Sequence, residues 1–239
     1  MPSKFFGELY LRSTRPFLDA KVTAAEQGYL EARLEELGVS GPVLDYGCGH
    51  GRHLAAGVRS GRTTLGMDRD HPSLVEARPI AAVVRGDFFA PPFRTASLAG
   101  IWAWYNSVFT FDDAQIRALF AQLARLIKPG GLLLLHTLPR EKLSNEPTSH
   151  FDGLLPDGSH LVEDVAFDEN SGRDRGRRTL TLPDGRVLEA DYFIRYFFRD
   201  ELEALLEGVG FRTIFVHGAI DGSPLQGSST DLILGAQRG

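Results

Sequence analysis

The sequence predicts an α/β fold in which helices cover both faces of a parallel β-sheet and an antiparallel β-meander is inserted. Between residues 23 and 137, short apolar segments alternate with amphipathic helical segments, as in βαβ units. The run "LLLLH" at 132–136 is apolar without alternation, which is typical of a strand covered on both faces. Residues 144–191 interrupt this pattern with the turn centres "ENSGR" and "PDG" between stretches of rough period-two alternation, which predict the meander.

The first half of the chain supplies most of the predicted core. Residues 23–37 are predicted to form a helix, with Thr23 and Glu26 as a capping box and Gly38 as its stop. Strands are predicted at 42–47, 63–68, 81–87, 98–104 and 132–137, with helices at 51–61, 73–78 and 112–127.

The second half resumes the α/β pattern after the meander. A helix is predicted at 200–211, followed by the closing strands "FRTIFVH" and "DLILGAQ". We therefore divide the chain into an N-terminal helical segment (1–38), a core (39–143 and 196–239) and a β-rich insertion (144–195). Periodicity leaves open whether the insertion is a lid, the interface of a homodimer, or both.

Composition narrows the class of protein. At 239 residues the chain is expected to form one large domain with an insertion. A net charge of −5 and the lack of a long basic run disfavour a nucleic-acid partner. Cys48 is the only cysteine, so neither an internal disulfide nor a four-cysteine zinc site is possible, and we expect no metal site. Without a secretory signal or a membrane-length apolar run, the protein is expected to be cytoplasmic, with no membrane partner.

The stretch "VLDYGCGHGRH" at 43–53 predicts a ligand-binding loop. It places glycines at alternate positions between a strand and a helix. Glycine permits a tight turn and lets the backbone approach a ligand, while the helix start offers N–H donors. The same spacing also fits an ordinary βα turn, so the loop alone does not decide between the two.

Acidic residues at successive strand ends favour the ligand-binding interpretation. Asp68 ends the second strand, 17 residues past Gly51, where a carboxylate accepts hydrogen bonds from a ribose diol. Asp87 ends the third strand and precedes Phe88, a pair suited to the edge and face of adenine. Ligands of open α/β sheets bind at this carboxyl edge.

The identity of the nucleotide depends on the loop itself. The dinucleotide fingerprint requires G-x-G-x-x-G, and Arg52 stands where its third glycine should be. Asp45, two residues before the first glycine, suits a ligand that carries an ammonium group. These features favour S-adenosylmethionine over NAD.

The motifs "VLDYGCGHG", "LGMD", "GDF" and "LIKPGGLLLLHT" resemble the successive motifs of class I S-adenosylmethionine-dependent methyltransferases. The resemblance covers residues 40–138 and continues more loosely through "YFFRDELEALLEGVGF". It implies a Rossmann-like, seven-stranded sheet whose last strand is antiparallel, and S-adenosylmethionine as cofactor. The departure at Tyr46, where many members have a smaller aliphatic residue, is expected to be tolerated.

The resemblance also assigns the cofactor-binding residues. The loop residues would lie along the methionine part, the second strand end would hold the ribose, the third would meet adenine, and the residue after strand four would lie near the methyl group. In that order the assigned residues are Asp45, Gly47 and Gly49; Asp68; Asp87 and Phe88; and Tyr105. Cys48 and Arg69 are expected to bind the cofactor beside them.

Several methyltransferase classes are disfavoured by what the sequence lacks. A cytosine C5 enzyme needs a nucleophilic cysteine beyond the fourth strand, whereas Cys48 lies in the glycine loop. The stretch "WYNSVF" after strand four lacks the Asn/Asp-Pro-Pro-aromatic motif of enzymes that methylate nucleobase or glutamine amino groups. We therefore expect methyl transfer to a nitrogen or oxygen of a small molecule or short peptide, mainly by proximity and in-line alignment.

Three residues are candidates for catalysis. His136 closes strand five and is the leading general base, with a hydrogen-bonded core histidine as the alternative. Tyr105 follows strand four. Tyr10 lies in the N-terminal segment, which in several relatives folds over the cofactor, although an ordinary surface helix is the alternative. His53 is expected to face the helix after the loop.

Three further residues are candidates for binding the substrate. Asn106 lies on the loop after strand four, and His150 opens the insertion. The partial alternation of "YFIRYFFR" predicts that Arg195 faces the active site, where it suits a carboxylate or phosphate on the substrate. Two other functions remain open: a non-catalytic adenosylmethionine-binding subunit and, less favoured, an NAD(P)-dependent oxidoreductase.

Overall fold

The computed structural model describes residues 5–239. The helices are α1 (Glu8–Thr14), α2 (Ala20–Glu36), α3 (Leu54–Arg59), α4 (His71–Ala77), α5 (Asp113–Leu126), α6 (Arg140–Asn145) and α7 (Arg199–Glu207), with a 3-10 helix at Arg15–Phe17. The strands are β1 (Val43–Tyr46), β2 (Thr64–Asp68), β3 (Ala82–Arg85), β4 (Leu98–Ala103), β5 (Ile127–Thr137), β6 (Thr148–Leu154), β7 (His160–Asp168), β8 (Arg173–Thr181), β9 (Val187–Arg195), β10 (Phe211–His217) and β11 (Leu232–Arg238).

The main sheet has seven strands in the order β10-β11-β5-β4-β1-β2-β3. The strands β5, β4, β1, β2 and β3 run parallel, whereas β11 is antiparallel to both of its neighbours. This confirms the predicted α/β fold with an antiparallel last strand. The carboxyl ends of β1, β2, β3 and β4 therefore meet at one edge, where the predicted ligand residues lie.

Apolar side chains fill both faces of this sheet. On one face the stripe of α5, including Ile116, Leu119 and Phe120, packs against Leu44 and Leu133. On the other face the buried side of α2 packs against Trp102 and Leu132. Burial on both sides explains why the central strands are continuously apolar in sequence. None of the helices in residues 5–239 is long and apolar enough to span a membrane.

The start of α2 corrects the predicted capping box. Asp19, not Thr23, caps the helix, because its carboxylate accepts hydrogen bonds from the backbone N–H groups of Lys21 (2.6 Å) and Val22 (3.3 Å). The helix thus begins three residues earlier than predicted, and Glu26 lies on its buried face.

The insertion forms the predicted meander, an antiparallel sheet in the order β6-β7-β8-β9. Its inner face buries Leu161 and Leu180 against Leu9 of α1. The Arg178 guanidinium donates to the hydroxyls of Ser13 (2.8 Å) and Thr14 (2.9 Å) at the end of α1. The second sheet therefore holds α1 in place.

Candidate functional site

A cavity of about 310 Å³ lies at the carboxyl edge of the main sheet, within the size range of small-ligand sites. The glycine loop, the ends of β2 and β3, the loop after β4, and α1 with the adjoining 3-10 helix surround it. The predicted site residues that line it are Tyr10, Gly47, Cys48, Gly49, Asp68, Arg69, Asp87, Phe88 and Tyr105.

The glycine loop approaches its neighbours closely. Gly47 has φ +88°, and a Cβ there would lie 2.8 Å from Cβ of Ser107 and 3.1 Å from Cζ of Phe88. Its N–H and that of Cys48 both donate to the carbonyl of Met67, at 2.8 and 3.0 Å. A residue other than glycine at position 47 would both strain the backbone and intrude on the cavity.

Asp68 connects the end of β2 to this loop. Its Oδ2 accepts the N–H of Gly49 (2.9 Å) and its Oδ1 accepts the N–H of Asp70 (2.9 Å). Burial raises the pKa of Asp68, while these backbone donors oppose the shift. The carboxylate is thus fixed in orientation beside the cavity, with lone pairs left for a ligand.

Phe88 packs against Tyr46, the residue that departs from the motif of the methyltransferases that the sequence resembles. Tyr46 is fully buried, stacks on the Phe88 ring at 4.6 Å, and donates its hydroxyl to the Phe88 carbonyl at 2.5 Å. Asp87 beside it accepts the N–H of Phe89 at 2.9 Å. The large side chain at position 46 is therefore accommodated as a support for one wall of the cavity.

Asp45 lies behind the cavity and does not line it. The residue is 2 % exposed, and its Oδ2 has no hydrogen-bond partner among the described residues. Burial raises the pKa of Asp45 to about 7. An unpartnered buried carboxylate oxygen under a ligand-binding loop is the kind of group that a bound cation or water satisfies.

Two residues after β4 adopt left-handed backbone conformations. Tyr105 has φ +51° and Asn106 has φ +60°. Nδ1 of His136 accepts the N–H of Tyr105 (3.3 Å), and the His136 carbonyl accepts the N–H of Asn106 (3.2 Å). Non-glycine residues in this region are strained, so these contacts hold the loop in its position over the cavity.

The structure does not support the prediction that His136 is the general base. The side chain is 2 % exposed and does not line the cavity. Its Nε2 lies 3.0 Å from Oδ1 of Asp231, and its ring stacks on Trp104 at 4.7 Å. Because Tyr105 engages Nδ1, both ring nitrogens are already hydrogen-bonded. The alternative, a hydrogen-bonded core histidine, describes this environment.

A buried carboxylate on α2, which the sequence does not reveal directly, lies behind the cavity and holds three residues that line it. Glu26 accepts hydrogen bonds from Nε2 of His53 (3.0 Å) and from the hydroxyl of Tyr105, and it pairs with Arg52 at 2.9 Å. Burial opposes ionisation of Glu26, but the hydrogen bonds from His53 and Tyr105 and the charge of Arg52 lower its pKa overall. The Arg52 guanidinium also lies 4.6 Å from the centre of the Tyr105 ring.

The sequence does contain a sign of this cluster, but the spacing of Thr23 and Glu26 hides it because it also fits a capping box. Glu26 shares the buried face of α2 with Tyr29, Leu30 and Leu34. An acidic residue within an apolar helical stripe is buried only when paired, so it marks a polar cluster. Thr23 likewise accepts a hydrogen bond from Arg52 at 2.8 Å.

The N-terminal segment covers one side of the cavity. Tyr10, Leu11 and Phe17 line it, and burial raises the pKa of Tyr10. Arg15 pairs with Glu76 of α4 at 2.5 Å, which fastens the segment to the core.

The three predicted substrate residues do not line the cavity. Asn106 accepts the hydroxyl of Thr137 at 2.6 Å. His150 lies on the exposed face of the second sheet, where Nδ1 is 2.6 Å from Oδ1 of Asp164.

Arg195 differs most from its predicted orientation toward the active site. It is 6 % exposed and lies 3.3 Å from Asp113 and 3.6 Å from Glu201, over the Phe197 ring. These contacts indicate that Arg195 stabilises the junction between the second sheet and the core. Within residues 5–239, no group of three or more His, Cys, Asp or Glu side chains is arranged to hold a metal ion.

Comparison with known proteins agrees with this geometry. Residues 43–131 match a family described as "Methyltransferase domain". No curated protein sequence matches the chain. The matched range runs from β1 into β5 and contains the glycine loop, both aspartate-bearing strand ends and the loop after β4.

Solved structures share the fold along nearly the whole chain. A S-adenosylmethionine-dependent methyltransferase from Clostridium acetobutylicum is 14 % identical with a TM-score of 0.81, covering 97 % of this chain and 96 % of its own. The CcbJ methyltransferase from Streptomyces caelestis is 18 % identical with a TM-score of 0.76, covering 90 % and 89 %. CalS10, an amino pentose methyltransferase from Micromonospora echinaspora, is 18 % identical with a TM-score of 0.69, covering 97 % of each chain.

Proposed function

We propose that this chain is a class I S-adenosylmethionine-dependent methyltransferase that methylates an amine nitrogen of a small molecule, a proposal supported by the matched methyltransferase domain and the shared fold. The match of residues 43–131 to a methyltransferase domain supports this function over the alternatives of a non-catalytic subunit and of an NAD(P)-dependent oxidoreductase. S-adenosylmethionine supplies an activated methyl group on a sulfonium. The protein then has to bind the cofactor, exclude water and align a nucleophile in line with the methyl carbon.

The lining residues fit this cofactor. We assign Asp68 to the ribose hydroxyls, and Asp87 with Phe88 to adenine. Gly47 lines the cavity without a side chain, so its backbone suits close approach of the methionine part. Asp45 does not line the cavity, so its negative charge would act on the ammonium group of the methionine part through the intervening loop.

The weakness of the histidine and tyrosine bases at the cavity supports the choice of nitrogen over oxygen. Among the described residues that line the cavity, burial lowers the pKa of His50 and of His53, the latter to about 4. Burial and the bond to Glu26 raise the pKa of Tyr105 to about 12. A hydroxyl nucleophile benefits from a base that removes its proton, whereas a neutral amine brings its own lone pair.

One structural neighbour is named for a small substrate that carries an amino group. CalS10 is an amino pentose methyltransferase, and its fold matches over almost the entire length of both chains. The N-terminal segment supports a small acceptor, because Tyr10, Leu11 and Phe17 close over the cavity.

The test is methyl transfer measured as S-adenosylhomocysteine release and product mass. The panel pairs small primary amines with the matching alcohols: glucosamine with glucose, benzylamine with benzyl alcohol, and putrescine with butanediol. We expect transfer to one or more amines and none to the matching alcohols. Transfer only to alcohols, or no transfer to any amine by folded protein that binds the cofactor, would contradict the proposal.

A further inference from the structure

The wall of the cavity beside α2 presents one nitrogen with a free lone pair. His53 lines the cavity at the start of α3 and is 6 % exposed. Its Nε2 is 3.0 Å from Oε2 of Glu26, while its Nδ1 has no hydrogen-bond partner among the described residues. The ring lies nearly parallel to that of Tyr105, at 14° and 6.3 Å.

The partner of Nε2 decides which nitrogen of His53 carries the proton. The lowered pKa of Glu26 keeps its carboxylate ionised, and an ionised carboxylate only accepts hydrogen bonds. Nε2 must therefore be the protonated nitrogen. Burial and the charge of Arg52 outweigh the effect of Glu26 and lower the pKa of His53 to about 4, so the ring is neutral near pH 7. In a neutral imidazole with Nε2–H, Nδ1 is an acceptor.

We propose that Nδ1 of His53 accepts a hydrogen bond from the N–H of the acceptor amine, so that the substrates are primary and secondary amines. This inference rests on the proposed function and names the residue that orients its nucleophile. Glu26 acts through His53, because it fixes the ring and its tautomer, and is therefore a positioning residue.

This hydrogen bond strengthens as the reaction proceeds. The nitrogen lone pair forms the new N–C bond while the S–C bond breaks and its electron pair stays on sulfur. Positive charge develops on nitrogen, which makes its N–H a stronger donor to Nδ1, and the Glu26 charge lies directly behind the ring. An interaction that is stronger in the transition state than in the ground state raises the rate. The proton stays on nitrogen and passes to solvent after release, because the low pKa of His53 makes it a poor proton acceptor.

His50 is less suited to this role although it also lines the cavity. No described carboxylate hydrogen-bonds its ring, so neither its tautomer nor its orientation is fixed. The charged groups that influence it are Arg15, Glu76 and Arg52, the first two of which form the ion pair that fastens the N-terminal segment.

The inference predicts where methylation stops. A primary amine and its monomethyl product both keep an N–H to donate to His53. A tertiary amine has none, so it cannot make the orienting bond. The reaction should therefore end at the dimethylated product, without a quaternary ammonium.

A matched pair of variants separates the two nitrogens of His53. In His53→Gln the amide nitrogen stands near Nε2 and can still donate to Glu26, but the acceptor at Nδ1 is lost. In His53→Asn the amide oxygen stands near Nδ1, but the bond to Glu26 is lost. Each is assayed with glucosamine, benzylamine and putrescine, and with their N-methyl and N,N-dimethyl derivatives.

We expect His53→Gln to lower kcat/KM by about 10- to 100-fold, because the lost bond involves a group that becomes charged. Its affinity for S-adenosylhomocysteine should stay unchanged, and His53→Asn should keep more activity than His53→Gln. Equal losses in both variants, weakened cofactor binding in His53→Gln, or quaternary products from the wild type would each overturn the inference. No transfer to any amine would instead overturn the proposed function, and the inference with it.

A spectroscopic readout tests the inference without any acceptor. Long-range ¹H–¹⁵N correlation on ¹⁵N-histidine-labelled protein reports which ring nitrogen is protonated, and His53→Gln identifies the signal. We expect the neutral Nε2–H tautomer throughout the range from about pH 6 to about pH 8. A proton on Nδ1 in this range would overturn the inference even if amines are methylated.

Discussion

The backbone N–H of Gly49 donates to Oδ2 of Asp68 across 2.9 Å, which joins the glycine loop to the end of the neighbouring strand. One residue thereby shapes the loop and faces the cavity at the same time. The carboxylate is held by two backbone donors before any ligand arrives, so little conformational freedom is lost when the cofactor binds.

Replacing Asp68 should lower the affinity for the cofactor more than it lowers the stability of the fold. Asp68→Ala removes the proposed acceptor of the ribose hydroxyls, and we expect S-adenosylhomocysteine affinity to fall by about 10- to 100-fold. Asp68→Asn keeps one oxygen and should lose less. Calorimetric titration measures both variants, and an unchanged affinity in Asp68→Ala would remove Asp68 from the cofactor site.

The substitution Gly47→Ala should cause both backbone strain and a steric clash. The positive φ and the 2.8 Å approach to Ser107 predict a loss of about 1–3 kcal/mol in the free energy of unfolding, together with loss of cofactor binding. Gly61→Ala is the control, because Gly61 also has a positive φ (+70°) but its Cβ would meet open space. Urea unfolding compares the two, and equal losses would mean that the clash contributes nothing.

Variants of His136 should change the rate without changing the shape of the pH–rate profile. In His136→Asn an oxygen near Nδ1 can still accept the N–H of Tyr105, whereas His136→Gln lacks that acceptor. We expect kcat to fall by about five- to tenfold in His136→Gln, and by less in His136→Asn. If either variant lost an inflection that the wild type shows, His136 would be a proton acceptor after all.

The stability of the unliganded protein should fall with rising pH because of Asp45. Its folded pKa of about 7 lies above the ordinary value of 3.8, so the native state binds more protons than the unfolded state between these values. Stability is therefore lost as the pH rises through this window, by at most about 1.4 kcal/mol per pH unit. Asp45→Asn should become progressively more stable than the wild type between pH 5 and about pH 8. A constant difference in urea unfolding would contradict this.

Removing the charge of Glu26 should be costly because it leaves Arg52 unpaired in a buried cluster. We expect Glu26→Gln to lower the free energy of unfolding by about 3 kcal/mol. Glu36→Gln is the control, because its ion pair with Arg33 is exposed and should contribute at most about 0.5 kcal/mol. Since the pKa of Glu26 is lowered in the fold, the effect should disappear as the pH falls below the folded pKa. Similar losses in both variants would contradict the buried pairing.

The parts of the structure that depend on local patterns were predictable. The apolar runs of β1, β4 and β5, the stripe of α5 and its cap at Asp112 all follow from short-range periodicity and capping chemistry. The carboxyl-edge position of Asp68 and Asp87 follows from the direction of parallel strands. These rules need no knowledge of side-chain packing.

The contacts between distant segments were not predictable. Asp231 lies 95 positions from His136, and nothing in the local sequence shows that it occupies Nε2. Strand alternation alone predicts that Arg195 faces the substrate, but Asp113 on α5 and Glu201 on α7 fix its orientation. Which nitrogen is free and which charge is paired depends on tertiary packing. For this reason the catalytic candidate His136 lies away from the cavity, whereas Tyr10, Tyr105 and most of the residues assigned to the cofactor line it.

The measurement that tests the account most directly is calorimetric titration of the purified protein with S-adenosylmethionine and then S-adenosylhomocysteine. Binding of both at one site per chain, weakened in Asp68→Ala, is the result that the account predicts. Folded protein that binds neither ligand would contradict the assignment of the cavity, and with it the proposed methyl transfer.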